Sequence, residues 1–284
     1  MLIFYAYTTT RNIGSIVMNE NHSHNPDVPH DHPRSQSLSY RHKVIEGMKN
    51  LIVAEAGLIA HGRGECFDYI LGEKTNEAAK KAIKAAVAML ILAERPIISI
   101  NGNVTVLTPK ELVELSELVE APLEINLFYR KDGRIEAIRS KLERAGAKEI
   151  LGTDESKMVE IPELSSNRRK VDPEGIFKSD VVFVPLEDGD RTQALKRLGK
   201  KVITIDLNPI SRTSIWADIT IVDNIVRALP LMLKFAKQLK NQPKEKLEKT
   251  LSDFNNKEAI QESLDLIIHY IETQKEKAFD ILSE

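Results

Sequence analysis

What the 284-residue chain lacks narrows the field first. It has one cysteine, Cys66, so no internal disulfide can form and a reducing compartment is its natural setting. Neither sign of charge is in excess. The 40 Lys and Arg against 42 Asp and Glu leave −2, which excludes the broad positive field that a general nucleic-acid binder spreads over one face. Long apolar runs are missing too. The longest, residues 85–93, is nine residues, where a membrane-spanning helix needs about 20. The apolar start MLIFYAY has no positive region before it and too short a core for a secretory signal, and Met18 offers a second start. No GxxxxGK[ST], GxSxG or HExxH occurs, which sets aside P-loop enzymes, nucleophile-elbow hydrolases and zinc peptidases. The expectation is a cytoplasmic protein with no membrane or nucleic-acid partner.

What is present reads as a globular chain. Hydrophobic residues make up 42% and charged residues 29%, an ordinary balance for a packed core. Residues 1–33 are rich in Asn, His, Asp and Pro and lack an apolar period, so they read as a loose arm. His22, His24, His30 and His32 fall there, but no flanking cysteine or ligand pair completes a metal site. A helix is expected from Ser37, because Val44, Ile45, Met48, Leu51 and Ile52 share one helical face. GLIAHGRGE (57–65) reads as a Gly-punctuated loop, followed by a short helix with Phe67, Ile70 and Leu71. Cys66 reads as a small packed residue. A helix over 76–94 ends in AAVAMLILA, apolar all round and therefore buried.

From Pro96 onward strands and helices alternate. PIISI, LEINL, KEIL, SDVVFVP, KVITID and DITIVD read as strands, and the helices between them carry recognisable ends. Thr108 is expected to cap a helix opened by Pro109, with Glu111 reaching back. Gly146 and Gly199 read as helix stops. Residues 152–178 form a long polar connection. Pro230 should kink the last helix of this region or delay its start. The alternation argues an α/β fold with a mostly parallel sheet flanked by helices, a helical segment before it and a helical tail after it. The divisions expected are an arm over 1–33, an α/β domain over 34–240 and a tail over 241–284. In the tail Leu264, Ile267, Ile268 and Ile271 form an apolar face that needs a partner, in the same chain or a second subunit.

Such sheets bind ligands at the carboxyl ends of their strands. Here those ends are polar: Asn101 and Asn103, Asn126 and Arg130, Asp188 and Asp190, Asp206 and Asn208, Asp223 and Asn224. Turns alone explain any one of them, but together they suggest a crevice for polar substrates. Asp206 ends the second strand of a βαβ unit, where an acid accepts hydrogen bonds from ribose hydroxyls. The glycine fingerprint before it is missing. The first loop reads LEDGDR, whose carboxylates would repel a pyrophosphate, and this disfavours an NAD-dependent oxidoreductase. Those acids suit a magnesium ion or an amine, or they cap the following helix. Arg34 follows Pro33, Arg41 lies on the first helix, Arg191 follows LEDGD and Arg212 follows NPIS; with Arg63 they offer guanidinium forks that suit phosphate and carboxylate oxygens. Arg63 lies between two glycines, which leaves a ligand room to approach the backbone.

These motifs form a pattern. HPR (32–34), GLIAHGRGE with FDYILGE (57–73), ISINGN (98–103), EINLFYR (124–130), VPLEDGDRT (184–192), IDLNPISRT (205–213) and ADITIVDNI (217–225) resemble, in order, the archaeal-type phosphopantothenate synthetase family. The resemblance covers roughly residues 30–240 and implies a homodimeric Rossmann-like enzyme of coenzyme A biosynthesis. That enzyme joins 4-phosphopantoate to β-alanine with ATP and Mg²⁺, releasing AMP and pyrophosphate through an acyl adenylate. On matching positions it implies ATP contacts at Arg41, Arg63, Asp206, Leu207, Asn208, Arg212, Thr213, Asn224 and Ile225. Asn101, Asn103, Asn126, Asp188 and Asp190 become substrate candidates, with Arg34, Arg130 and Arg191 as candidates for the 4-phosphate. His61, to accept the amine's proton, and Arg191 are the candidates for the chemistry itself, and no metal ligands are assigned. A non-catalytic nucleotide-binding regulator is the other rival, and it would need fewer polar strand ends.

Overall fold

The computed structural model describes residues 31–32, 34–164, 166–277 and 280. The expected N-terminal arm, with Met18, His22, His24 and His30, falls almost wholly outside them. Three helices come first: α1 (Ser35–Lys49), α2 (Glu55–Ile70) and α3 (Glu77–Leu92). The sheet begins with β1 (Pro96–Ile100), whose proline occupies the first strand position, where its missing N–H costs least. Then come α4 (Gly102–Leu107), α5 (Pro109–Leu118), β2 (Leu123–Ile125), α6 (Arg134–Arg144) and β3 (Ile150–Leu151). After the short pair β4 (Val159–Glu160) and β5 (Lys170–Val171), the sheet resumes with β6 (Val181–Phe183), α7 (Gly189–Arg197), β7 (Lys201–Ile205), α8 (Arg212–Trp216) and β8 (Ile219–Ile221). The helices α9 (Ile225–Leu239), α10 (Lys244–Ser252) and α11 (Asn256–Lys277) follow.

The main sheet runs in the order β3-β2-β1-β6-β7-β8, and every neighbouring pair is parallel. The strand order reverses between β1 and β6, which creates the crevice that doubly wound sheets use for ligands. Alternation along the strands builds two cores. Ile98, Ile100, Phe183, Ile203 and Ile205 pack on one face with α3, α5 and α9. Ile97, Val182, Val184 and Val202 pack on the other with Ala194 and Leu195 of α7. The α/β expectation holds, with helices before and after the sheet.

Several local expectations change. Residues 57–65 are helical and lie inside α2. A Cβ at Gly57 would overlap the Asn103 side chain, so that glycine serves close packing of the helix and does not break it. Cys66 is exposed on α2, because the buried positions beside it are Glu65 and Asp68. Pro109 opens α5 as expected, but the Thr108 hydroxyl donates back to the Val104 carbonyl at 3.2 Å and makes no cap. Residues 152–178 are partly ordered: β4 and β5 pair antiparallel, and Ile161, Leu164, Val171 and Ile176 cover the second core. α9 runs through Pro230 without starting late. In the tail Leu247, Ala259 and Ile267 are buried within the chain, with α10 and α11 packed on α3, while Ile268 and Ile271 stay exposed.

Candidate active site

The switch point is stitched by the residues that follow β1. A Cβ at Gly102 would overlap the Ile52 carbonyl oxygen, so only glycine lets the loop after α1 cross the strand end. The same carbonyl accepts from Arg134 Nη2 at 2.8 Å. Asn101 Oδ1 accepts from the amides of Asn103 and Val104, which caps α4, and its Nδ2 donates to Pro185 O at 3.0 Å. Asn103 Nδ2 donates to Gly57 O at 2.9 Å and holds α2 over the strand ends. Both asparagines therefore use their side chains on the framework. Leu186, after β6, sits at φ 54°, a left-handed strain that turns the chain sharply into Glu187 and Asp188.

One group of expected residues gathers between α2 and the ends of β7 and β8. Arg63 is exposed on α2, and its charge lowers the pKa of half-buried Asp206, whose carboxyl burial pushes upward overall. Asp206 accepts from Ser211 Oγ at 2.5 Å and from Asn208 N at 2.9 Å. Each carboxylate oxygen keeps a second lone pair for a hydroxyl. Leu207 is buried under α2, 3.5 Å from where a Gly64 Cβ would lie. Asn224 caps α9 and donates to Asp68 Oδ2 at 2.8 Å, so its amide is already engaged, and Ile225 is buried behind it. Arg41 pairs with Glu65 at 2.7 Å, and Arg34 donates to the Tyr69 hydroxyl at 3.0 Å, both against α2. His61 is half-buried near this pair. Its Nε2 is buried without a partner, and burial lowers its pKa, opposed by Glu65 and reinforced by Arg41.

A second group gathers at the ends of β2 and β6. Here the sequence reading missed a residue: Arg168, from the connection before β5. It is buried, pairs with Glu187 and, at 2.7 Å, with Asp188, and lies 5.9 Å from the centre of the Phe128 ring. Burial pushes it down to about 10. The signal available was two adjacent arginines inside an unusually long connection. Arg130 contributes a largely buried side chain paired with Glu155 at 3.0 Å. Arg130 Nε and Nη2, Arg168 Nε and Arg191 Nη2 are all buried without an acceptor, and Asn126 Oδ1 is buried without a donor. Unsatisfied donors of this kind cost free energy unless an anion meets them. Asn126 Nδ2 donates to Lys170 O at 2.9 Å and so anchors the segment that carries Arg168.

Arg191 is not where a substrate-contacting residue must be. It is 1% exposed, and its Nη1 donates to Glu187 at 2.5 Å, so it holds Glu187 from inside the fold. Asp188 caps α7 through the Arg191 amide at 2.9 Å while its other oxygen holds Arg168. Asp190 is exposed and pairs with Arg212 at 2.7 Å; Arg212 also donates to Gln193 at 2.8 Å. Thr213 is buried, its hydroxyl donating to Glu187 O at 3.0 Å. Among the described residues no three His, Cys, Asp or Glu side chains gather to hold a metal ion, and no helix is long and apolar enough to cross a membrane.

Known proteins share this chain's sequence over most of its length. The model of the phosphopantothenate/pantothenate synthetase family matches residues 78–270, from α3 through most of α11. A 4-phosphopantoate--beta-alanine ligase of Thermococcus kodakarensis is 52% identical over 244 residues, which cover 86% of this chain and 92% of that one. One from Methanosarcina mazei is 49% identical over 247 residues, covering 87% and 96%. With the family match spanning the whole sheet and its switch point, the chain belongs to the phosphopantothenate/pantothenate synthetase family.

Proposed function

We propose that the chain is a 4-phosphopantoate–β-alanine ligase that uses ATP and releases AMP and pyrophosphate in coenzyme A biosynthesis. The observation that carries this reading is the presence of two separate cationic sites on one sheet edge. Arg63 facing Asp206 suits a nucleotide, with a cation for phosphate and an acid for ribose. The orphaned N–H groups of Arg130 and Arg168 suit a smaller, fixed phosphate. A dehydrogenase needs only the first, and a nucleotide sensor has no use for the second.

The chemistry sets what these residues must offset. The acid's carboxylate has to approach the α-phosphate, and two unit charges 4 Å apart repel by about 4 kcal/mol at an effective dielectric near 20. Arg63, Arg41 and Arg212 neutralise the nucleotide side, while Arg130 and Arg168 hold the 4-phosphate away from the reacting carboxylate. The acyl adenylate formed is then opened by the β-alanine amine. Asp188, partly exposed beside Arg168, is the candidate to receive the ammonium on its remaining lone pairs, and neutral His61 can accept the amine's excess proton. Arg191 acts one step back by fixing Glu187 and hence Arg168. Among the described residues no three carboxylate, His or Cys side chains gather around a magnesium ion, which would be held by phosphate oxygens and water. A homodimer and a cytoplasmic setting go with this reading, and exposed Leu266, Ile268, Tyr270 and Ile271 on α11 offer apolar area for a second subunit.

The test is a product assay with ATP, 4-phosphopantoate and β-alanine. 4′-Phosphopantothenate and AMP should appear in equal amounts. ADP and phosphate would replace the adenylate route with an acyl phosphate, and no condensation product would end the ligase reading.

A further inference from the structure

One buried cluster lies behind the nucleotide side and has no role in the steps above. Asp68 lies on α2, five residues after Arg63, and is 6% exposed. Its two oxygens receive the fork of Arg227: Oδ1 accepts from Nη2 at 2.5 Å, and Oδ2 accepts from Nη1 at 3.1 Å and from Asn224 Nδ2 at 2.8 Å. Arg227 sits in the first turn of α9 and also donates to Asp223 at 2.7 Å. Asp223, at the end of β8, is 1% exposed and accepts from Thr75 Oγ1 at 2.6 Å and from Asn224 N at 2.7 Å. Every oxygen here is paired, so the cluster is not a vacant site.

Burying two carboxylates around one arginine is costly, and apolar packing of the same shape is often at least as stable. What a forked pair adds is direction, because two parallel N–H···O bonds fix both distance and rotation. This fork joins the helix that carries Arg63 to the first turn of α9, and Asp223 and Asn224 tie the same group to the end of β8. Nearer to Arg63, α2 meets the ends of β7 and β8 through apolar packing, with Phe67 and Ile70 against Leu207 and Val222 and Gly64 close to Leu207, which sets separation more than rotation. We propose that Asp68, through Arg227 and Asn224, is a positioning residue for nucleotide binding: it fixes the rotation of α2 that aims Arg63 at Asp206. The proposal rests on the reading of the Arg63–Asp206–Asn224 wall as the ATP site.

The experiment compares Asp68→Asn and Arg227→Lys with wild type by steady-state kinetics, varying ATP and 4-phosphopantoate in turn, with calorimetric ATP titration. KM and Kd for ATP should rise about 10-fold, the size of one lost charge-assisted contact. KM for 4-phosphopantoate and kcat should stay within about 3-fold, because the second cationic site is untouched. In the Asp68→Asn background, Arg63→Ala should cost far less than it does alone, since the two act as one unit. An ATP constant within about 2-fold of wild type overturns the proposal, and so does a parallel loss in all three parameters. Arg227→Lys carries the same test if Asp68→Asn does not fold. A wild-type chain that binds no ATP overturns the functional reading and this proposal with it, an outcome distinct from normal binding in both variants.

Discussion

Glu124 links stability, pH and the placement of Arg168. It lies in β2, 0% exposed, and its two oxygens accept from Asp172 N at 3.0 Å and Ile176 N at 2.6 Å. A Cβ at Gly175 would overlap Oε2, so the chain can close over the carboxyl only with glycine there. Burial raises Glu124 from 4.5 to about 7, against the pull of both amides and of Arg191. Between pH 4.5 and 7 the folded protein therefore keeps a proton that the unfolded chain has lost. Stability from this group is greatest below pH 4.5, falls as pH rises through the window and levels off above 7. The difference between 4.5 and about 7 corresponds to about 3 kcal/mol.

Glu124→Gln removes the titration and keeps the shape. It also turns one acceptor into an NH₂ facing a backbone N–H, which costs about 1–3 kcal/mol. Urea unfolding between pH 5 and 8 should show wild type ahead of the variant at pH 5, with the gap closing or reversing by pH 8. Parallel curves would mean that Glu124 does not change charge in this range and that its burial has been misread. Since Asp172 and Ile176 follow Arg168 closely in the chain, the same experiment run with activity should show KM for 4-phosphopantoate rising in the variant while KM for ATP holds.

Three other outcomes follow from the site. Arg168→Lys keeps a charge but loses the fork; KM for 4-phosphopantoate should rise about 10-fold or more in initial-rate assays, with KM for ATP little changed. His61 must be neutral to accept a proton, and burial lowers its pKa below 6.5, so the acid limb of the kcat profile should lie below 6.5 and vanish in His61→Gln; a limb unchanged in the variant removes His61 from proton transfer. Chelation by EDTA should abolish turnover yet leave the melting temperature of the nucleotide-free protein unchanged, because no three described ligands gather around an ion; a lower melting temperature would mean a structural metal.

The sheet was legible because short apolar runs separated by helical periods have few packings: each run from PIISI to DITIVD holds a strand, PIISI and KVITI along their length and the others over two or three residues. Asp206 was expected at a strand end because that is where such sheets bind, and the structure places it at the end of β7 with Arg63 of α2 close enough to act on its charge. α2 was misread because its glycines look like loop punctuation. Nothing local reveals that Gly57 faces Asn103, a contact 46 residues away along the chain. Arg168 was missed for a related reason. Its partners Glu187 and Asp188 are about 20 residues on, and only the return of the chain beside β1 brings them together. Arg191 looked like a site residue from its motif, but helical phase turned it inward, and a motif does not report phase.

The near-zero net charge hides a division of labour among the arginines, visible in what each pair would lose if an anion arrived. Arg212 and Asp190 are both largely exposed, and Arg130 pairs with the exposed carboxylate of Glu155. Releasing Asp190 into water costs little, since exposed pairs contribute at most about 1 kcal/mol, whereas Arg130 is itself largely buried and would be left with an unmet charge if Glu155 went unreplaced. Arg212 is therefore free to exchange a carboxylate for a phosphate, and Arg130 has Nε and Nη2 without an acceptor while it stays paired to Glu155. Glu187 is 2% exposed and held by both Arg168 and Arg191, so it cannot be released without leaving a buried charge unpaired. Both of its ion pairs use Nη1, so Arg168 has donors other than Nη1 for an anion while its pairing to Glu187 stays intact. On the proposed reading the acid substrate would meet Arg168, already fixed by Glu187, and the unpaired Nε and Nη2 of Arg130, whereas the nucleotide would be met on the α2 side by side chains that the Asp68 fork has only to aim.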